Sequence, residues 1–343
     1  MSKEIIFPAE WHPQSAIQLT WPHENSDWNY LLDEVTSCFV NIAKKIINYQ
    51  NLVIICKDSN LVKSQLGDIV KSEGKIQFVE ISSNDTWARD HGGISVYING
   101  ERKVYDFTFN GWGLKFAADQ DNQITKKLFD KGIFSHKVER INKKNFALEG
   151  GALESDGKGT LLTTTECLLS PNRNSFLSKD EIEDFLKDNL GLERILWLDH
   201  GYLAGDDTDS HIDTLARFCD EHTIAYVKCD DETDEHFEAL KNMESQLKSF
   251  VDNDGKPYKL IPLPMAQKVE IDGERLPATY ANFLIMNKAV LVPVYGSQLD
   301  QEALEQVQKA FPEKEIVGIN CLTLIKQHGS LHCVTMQYPE GFI

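Results

Sequence analysis

The feature that most constrains this chain is an internal repeat of helix, strand, polar loop, strand and strand, which recurs five times with little sequence identity. Each polar loop carries one chemically distinctive residue, and successive markers are 59, 62, 71 and 51 residues apart. The markers are Asp90, Glu149, His211, Asn282 and Cys333. Repeats of this length are typical of blades or arrays. A strand predicted over 16–21 is left over to complete the last unit, which indicates a ring closed by its own two ends.

Apolar spacing places the elements of each repeat. Helices are predicted over 28–46, 60–72, 123–131, 178–191, 234–250 and 301–310, the first of them capped by Ser26 or Asp27. The helix over 178–191 opens on a capping-box pair, Ser178 and Glu181. The chain contains no Pro/Gly/Ser linker, no G-x-G-x-x-G motif and no P-loop motif. We therefore expect one domain over residues 1–343 rather than an open nucleotide-binding sheet.

Charge and composition limit the classes of partner. The net charge is −18, from 35 basic and 53 acidic residues. Nucleic acids and anionic membranes need clustered Lys and Arg, so we expect neither as a partner. An acidic field mildly favours a small cationic substrate, although solubility alone also explains it.

The cysteines and the N-terminus indicate the compartment. Seven cysteines, an odd number without C-x-x-C spacing, argue against a disulfide framework or a structural zinc site. The chain lacks a signal-peptide pattern and an apolar run of about 18 residues. These features predict a reduced, cytoplasmic protein.

Each marker taken alone has an ordinary structural explanation. Cys333 could be a small buried hydrophobe, and Asp90 could pair with its neighbour Arg89 at the surface. A lone histidine such as His211 is more often structural than catalytic. Structural roles alone would not require the same position in every repeat. If the ring closes, its equivalent loops meet at one end of the axis and bring these side chains together.

The combined chemistry is informative. A cysteine with a histidine indicates nucleophilic catalysis with a proton carrier. The surplus of carboxylates favours a planar guanidinium cation, whose donors match carboxylates in bidentate pairs. Two carboxylates holding that cation would leave its central carbon open to a thiolate, and the cation would favour the thiolate form of Cys333.

Several segments together resemble the guanidino-modifying enzymes of the pentein fold, specifically the agmatine deiminase (agmatine iminohydrolase) family. The resemblance covers essentially the whole chain. The matching segments are Trp21-Pro22-His23, Trp87-Ala88-Arg89-Asp90, Phe109-Asn110-Gly111-Trp112-Gly113, Leu148-Glu149-Gly150-Gly151, Gly205 to Asp213, Ala278-Thr279-Tyr280-Ala281-Asn282-Phe283 and His328 to Cys333.

The resemblance implies a five-bladed α/β propeller that hydrolyses agmatine to N-carbamoylputrescine and ammonia in polyamine synthesis. Cys333 would be the nucleophile and His211 the general acid and base, while Asp90 and Asp213 would hold the guanidinium. The intermediate would be a covalent amidino-thioether, and the family needs no metal or organic cofactor. Further substrate-binding residues by this resemblance are Glu149, Trp87, Asp207, Trp112 and Arg89. A homodimer is one option for its assembly.

Substrate choice rests on the far end of the pocket. Agmatine ends in an ammonium and needs an acid there, for which Asp207 is the candidate because the family places an acid four residues before the histidine. A solvated acidic turn is the competing explanation. Lys115 lies near the Trp112 loop, so composition does not exclude an arginine-type substrate.

Two other functions stay open. One is a deiminase of free or peptidyl arginine. The other is a metal-binding protein, with His328, His332, Cys333, His211 and Asp213 as ligands, although Gly329 argues against a helical pair of histidines. The sequence assigns no role to Trp21, His23, His328 or His332.

Overall fold

The computed structural model describes residues 4–71 and 74–343. Residues 1–3 and Ser72, the last residue of the helix predicted over 60–72, therefore lie outside it. The strands of the described residues are β1 (Ile5–Ile6), β2 (Gln14–Thr20), β3 (Asn51–Cys56), β4 (Ile76–Glu80), β5 (Ile94–Ile98), β6 (Glu101–Thr108), β7 (Val138–Ala147), β8 (Glu154–Ser155), β9 (Thr160–Thr164), β10 (Arg194–Leu198), β11 (Ala216–Asp220), β12 (Thr223–Lys228), β13 (Lys259–Pro264), β14 (Glu270–Ile271), β15 (Glu274–Arg275), β16 (Leu284–Ile285), β17 (Ala289–Val294), β18 (Glu315–Asn320) and β19 (Thr335–Pro339).

The helices connect these strands. They are α1 (Leu32–Ile46), α2 (Ser59–Leu66), α3 (Ala88–His91), α4 (Gly111–Leu114), α5 (Ile124–Asp130), α6 (Thr165–Leu168), α7 (Lys179–Leu190), α8 (Phe237–Ser249), α9 (Asp300–Ala310) and α10 (Leu322–Ile325). The longer ones are amphipathic and bury one face, as α7 does with Ile182, Leu186 and Leu190.

Five sheets contain one common pattern, an antiparallel pair followed by a parallel pair, and two of them add a further strand, β1 or β4. Their strand orders are β1-β5-β6-β7, β8-β9-β10, β11-β12-β13, β16-β17-β18 and β19-β2-β3-β4. The parallel neighbours are joined through helices, such as α8 between β12 and β13. β14 and β15 form a separate hairpin that the sequence did not predict.

The last sheet joins the two ends of the chain. β19 pairs antiparallel with β2, which in turn pairs parallel with β3. The N-terminal strand left over by the repeat therefore completes the C-terminal sheet, as predicted.

All five markers occupy equivalent positions, just ahead of the first strand of an antiparallel pair. Asp90 precedes β5, Glu149 precedes β8, His211 precedes β11, Asn282 precedes β16 and Cys333 precedes β19. The repeat inferred from sequence is thus a repeat of structure.

Several boundaries differ from prediction. α2 ends at Leu66, and a 3-10 helix, Gly67–Lys71, follows it within the range predicted as one helix over 60–72. α1 begins at Leu32 without a side-chain cap, so the predicted cap at Ser26 or Asp27 is wrong. A 3-10 turn, Asn29–Leu31, intervenes, and the Ser26 hydroxyl donates instead to the carbonyl of His23 (2.7 Å). The sequence also predicts a strand over 136–140, whereas β7 begins at Val138 and continues to Ala147. Among the described residues, no helix is both long and apolar enough to cross a membrane.

Candidate active site

A cavity of about 140 Å³ lies above Cys333, between loops from several sheets. Five of the predicted site residues and seven others line it. Its lining includes Cys333, Asp90, Trp87, Trp112, Asp207, Asp27, Asp85 and His328. The other predicted site residues do not line the cavity and are buried in the protein. They are His211, Asp213, Glu149 and Arg89.

Asn282 holds the Cys333 loop. The amide oxygen of Asn282 accepts hydrogen bonds from the backbone N–H of His332 (2.8 Å) and Cys333 (3.3 Å) and from the Cys333 thiol (3.4 Å). Its side-chain NH₂ donates to the carbonyl of Asp213 (3.2 Å). Asn282 thereby connects the thiol to the loop that carries Asp213. The sequence identified Asn282 only as a marker of the repeat and predicted no contact for it.

The Cys333 thiol is buried and held in its neutral form. Burial raises its pKa well above the ordinary value, and the neighbouring carboxylates of Asp213 and Asp90 raise it further. Because these two carboxylates oppose the thiolate, a cation bound between them would favour it.

His211 is fully buried beside Asp90, with 3.6 Å between its Nδ1 and Asp90 Oδ1. Burial disfavours the imidazolium, but the Asp90 carboxylate and other neighbours outweigh it, so the pKa of His211 is raised well above 6.5. Asp90 accepts from Trp112 Nε1 (2.9 Å) and from the backbone N–H of Gly151 (3.1 Å). Burial, together with Asp213, nevertheless raises the pKa of Asp90 to about 6.

Glu149 stands behind the histidine and does not line the cavity. Its Oε2 is 3.9 Å from His211 Nε2. Both carboxylate oxygens accept from Arg173 Nε, at 3.1 and 2.8 Å. Despite burial, this guanidinium keeps the pKa of Glu149 below its ordinary value. The geometry thus directs Glu149 toward His211, with Arg173 as a partner that sequence reasoning missed.

Asp213 is fully buried, and His332 fixes one of its oxygens. His332 Nδ1 is 2.7 Å from Asp213 Oδ2, and its Nε2 is 2.6 Å from Glu10 Oε2. Glu10 also accepts from Arg217 (2.8 Å) and from the backbone of Ile285 (2.7 Å). Asp213 Oδ1 has no hydrogen-bond partner within the described protein, although Asp213 itself does not line the cavity.

Arg89 is not part of the cavity wall. Its guanidinium is buried near Glu10 Oε2 (3.9 Å) and the sulfur of Met336 (3.6 Å). Only the backbone connects it to the site, where its N–H donates to the carbonyl of Cys333 (3.1 Å). The structure therefore does not support the substrate-binding role that the Trp-Ala-Arg-Asp motif suggested for it.

The missed residues Glu10, Arg173 and Arg217 lie outside the marker loops, and their charges are the only sequence signal for them. His332, left without a role, is adjacent to Cys333.

Two groups of side chains in the described residues have metal-ligand spacing. They are Glu149, Cys167 and His211, and separately His222, Asp252 and Asp254. Neither group matches the predicted set around His328 and His332. His328 Nδ1 and both ring nitrogens of His332 contact protein oxygens instead. The geometry thus gives no support to the ligand set that the sequence suggested.

Residues 6–339 match the Porphyromonas-type peptidyl-arginine deiminase family. A protein of Lactococcus lactis subsp. lactis, provisionally named an agmatine deiminase, is 34% identical over 97% of this chain and 95% of its own.

Solved structures agree with this match. A Porphyromonas gingivalis protein, provisionally named an arginine deiminase, is 55% identical over 99% of this chain and 100% of its own, with a TM-score of 0.96. A substrate-bound variant of C. jejuni agmatine deiminase is 37% identical over 100% of this chain and 98% of its own, with a TM-score of 0.92. The chain therefore belongs to the Porphyromonas-type peptidyl-arginine deiminase family.

Proposed function

We propose that this protein is an agmatine deiminase, which hydrolyses agmatine to N-carbamoylputrescine and ammonia. In this proposal Cys333 is the nucleophile and His211 the general acid and base. Asp90 and Asp213 hold the guanidinium, with the unpartnered Oδ1 of Asp213 among the acceptors. Glu149 orients His211, and Trp87 and Trp112 wall the site.

The observation that carries the substrate choice is the charge of the cavity wall. Asp27, Asp85 and Asp207 line the cavity together with Asp90, and no lysine or arginine of the described chain does so. The α-carboxylate of arginine would meet like charges there without a cation to pair with. Agmatine lacks that carboxylate and ends in an ammonium, for which Asp207 is the proposed partner.

Lys115 is the basic residue because of which composition did not exclude an arginine-type substrate, and its ammonium pairs with other protein groups. Its ammonium donates to the carbonyl of Asp207 (2.7 Å) and to Asp209 Oδ1 (2.6 Å). This geometry supports agmatine over the arginine that the name of the P. gingivalis relative suggests.

The mechanism follows from the protonation states. A guanidinium bound to Asp90 and Asp213 offsets their charge, so the Cys333 thiol releases its proton to solvent and its sulfur attacks the guanidinium carbon. The His211 imidazolium donates a proton to the departing NH₂ group, which leaves as ammonia, and an amidino-thioether cation remains.

Neutral His211 then takes a proton from water, and the hydroxide adds to the same carbon. The C–S bond breaks with its electron pair on sulfur, and the ureido product forms. The proton lost from the new hydroxyl group returns to the thiolate, so one guanidinium and one water give one urea and one ammonium ion.

The architecture of this proposal is a single domain over residues 1–343, with the five sheets arranged as a five-bladed propeller. The shared sheet pattern and the pairing of β2 with β19 support it. A place in putrescine and polyamine synthesis, a cytoplasmic location and a homodimer stay predictions from sequence.

A substrate panel tests the proposal. Ammonia and ureido release would be measured from agmatine, free arginine and a peptidyl arginine with one preparation of enzyme. We expect kcat/KM to be at least about 100-fold higher for agmatine, since like-charge contacts cost several kcal/mol. A preference for either arginine substrate would contradict the assignment.

The nucleophile is tested separately. Cys333→Ala should abolish turnover of agmatine while its binding, followed by calorimetry, persists. Turnover retained by this variant would exclude the thioether mechanism.

A further inference from the structure

Two loops meet at the mouth of the cavity, and the first is a left-handed turn. Gly111, Trp112, Gly113 and Leu114 all have positive φ angles, at 68°, 55°, 79° and 69°. The backbone N–H of Lys115 donates to the Gly111 carbonyl (3.0 Å) and closes the turn. This conformation places the Trp112 indole against Asp90 and in the cavity wall.

The second loop precedes His211. Asp209 and Ser210 also have positive φ angles, at 65° and 61°. The carboxylate of Asp206 accepts from the backbone N–H of Thr208 (3.2 Å) and Ser210 (2.7 Å), which folds the loop back on itself. Asp207 projects from this loop and lines the cavity.

Lys115 joins the two loops. Its ammonium contacts the Asp207 carbonyl and Asp209 Oδ1, at 2.7 and 2.6 Å. The other oxygen of Asp209 accepts from Arg173 Nη1 (2.6 Å), and Arg173 holds Glu149 behind His211. The lysine is therefore the outer end of a continuous chain of ion pairs that reaches the buried layer.

This arrangement acts on Asp207 in two ways. It fixes the backbone from which the Asp207 side chain extends. It also pairs the ammonium of Lys115, which would otherwise be a free positive charge near the cavity. The Asp207 carboxylate is 41% exposed, and its only ion contact in the described structure is His328 Nδ1, at 3.8 Å. Its negative charge thus stays available to a ligand.

We propose that Lys115 is a specificity-determining residue, which positions Asp207 for the distal ammonium of the substrate by fastening its loop to the Trp112 turn. The inference rests on the proposed agmatine activity and adds to it the residue that sets the distal subsite. Lys115 acts through Asp207 and does not touch the substrate.

The test compares agmatine with n-butylguanidine, which has the same guanidinium and lacks the distal ammonium. The ratio of kcat/KM for the two substrates isolates recognition of that ammonium. We expect Lys115→Met to lower this ratio about tenfold or more, mainly through a higher KM for agmatine, with little change for butylguanidine. An unchanged ratio in Lys115→Met would overturn the proposal.

Matched variants separate a local effect from misfolding. Lys126→Met removes a lysine whose partner is Asp130, on the surface of α5, and should leave the ratio unchanged. Lys115→Arg retains the cation and should recover part of the ratio. Lys115→Gln removes only the charge and provides the same test if the methionine variant fails to fold.

The wild-type protein distinguishes the two levels of the proposal. If it fails to prefer agmatine over butylguanidine, the distal ammonium site of the proposed function is wrong. If it prefers agmatine and Lys115→Met retains that preference, only the role of Lys115 is wrong.

Discussion

Backbone strain in this protein is concentrated at single residues around the candidate site. Among the described non-glycine residues with positive φ, five lie in the cavity loops: Trp112, Leu114, Asp209, Ser210 and His328. A left-handed conformation costs about 1–2 kcal/mol per residue, so surrounding contacts must maintain it. The hydrogen bonds of Trp112 to Asp90 and of His328 Nδ1 with the Gly205 carbonyl (2.7 Å) are such contacts. Strain of this kind favours fixed side-chain positions in the site.

The raised pKa of Asp90 predicts the acid limb of the pH profile. Asp90 must be ionised to hold a guanidinium, and burial raises its pKa to about 6. A carboxyl with a raised pKa becomes protonated as the pH falls through that value. We therefore expect kcat/KM for agmatine to fall below about pH 6, because the pH profile of kcat/KM reports the pKa values of the free enzyme. An acid limb near pH 4 would show that Asp90 is not the controlling group.

Gly151 provides a steric test of the catalytic contact. A Cβ at this position would lie 2.5 Å from His211 Nδ1 and 2.8 Å from Asp90 Oδ1. Gly151→Ala should therefore separate the two groups and reduce kcat by about 100-fold or more, since small misplacements are costly in catalysis.

The matched control for this substitution is Gly255→Ala. Gly255 has a positive φ of 76° but open space around its Cβ position. Its substitution should cost about 1 kcal/mol of stability and leave kcat unchanged. Equal activity of the two alanine variants would argue against close packing of His211 on Asp90.

At the scale of elements, His332 links the N-terminal segment to the loop before β19. It contacts both Glu10 and Asp213, which are buried carboxylates. His332→Leu leaves both without this partner, and we expect a loss of about 3–5 kcal/mol in the free energy of unfolding by urea. His222→Leu is the control, because His222 is 55% exposed at its contact with Asp252 and should cost less than about 1 kcal/mol. A loss in His332→Leu as small as the one expected for His222→Leu would contradict a structural role for His332.

The helix boundaries show which structural features can be predicted from the sequence. α7 is predicted accurately because its ends are local: the Ser178–Glu181 capping box is present, and Gly191 adopts a left-handed conformation at the other end. The start of α1 is wrong because a 3-10 turn and tertiary packing replace the expected cap. Local chemistry thus predicts boundaries well only where no distant contact competes with it.

The site divides in the same way. The marker residues are predictable because the repeat gives each one an equivalent position. Their supporting partners are not, since Glu10 and His332 are 322 residues apart and Arg217 and Glu10 are 207 apart. Pairing over such separations depends on how the sheets are arranged around one another, which periodicity does not specify. Arg89 shows the same limit, because its motif gives its neighbours and not the direction of its side chain.

At the scale of the whole molecule, both ends of the described chain meet at one place. Ile6 pairs with Tyr97 in β5, and the ring of Phe342 contacts the ring of Tyr97 with centroids 5.5 Å apart. The backbone N–H of Glu340 also donates to the carbonyl of Pro13 (2.7 Å). Joining the ends should therefore close the molecule without distortion.

A circular permutant tests this closure. A flexible linker of about ten residues spans roughly 17 Å, which suffices for neighbouring ends. New termini would be placed between Asp272 and Gly273, at the tip of the β14–β15 hairpin, where both residues have positive φ angles of 54° and 86°. We expect this permutant to fold and to keep kcat for agmatine within about twofold, because the hairpin lies outside the five sheets.

The control for the permutant is a truncated chain without residues 1–20, which therefore lacks β2. Its removal takes away the strand between β19 and β3, so β19 loses its partner directly after Cys333. This chain should be unfolded or inactive, as judged by circular dichroism and ammonia release. A permutant that fails while the truncated chain remains active would mean that the N-terminal strand does not complete the C-terminal sheet, and the closed arrangement would be wrong.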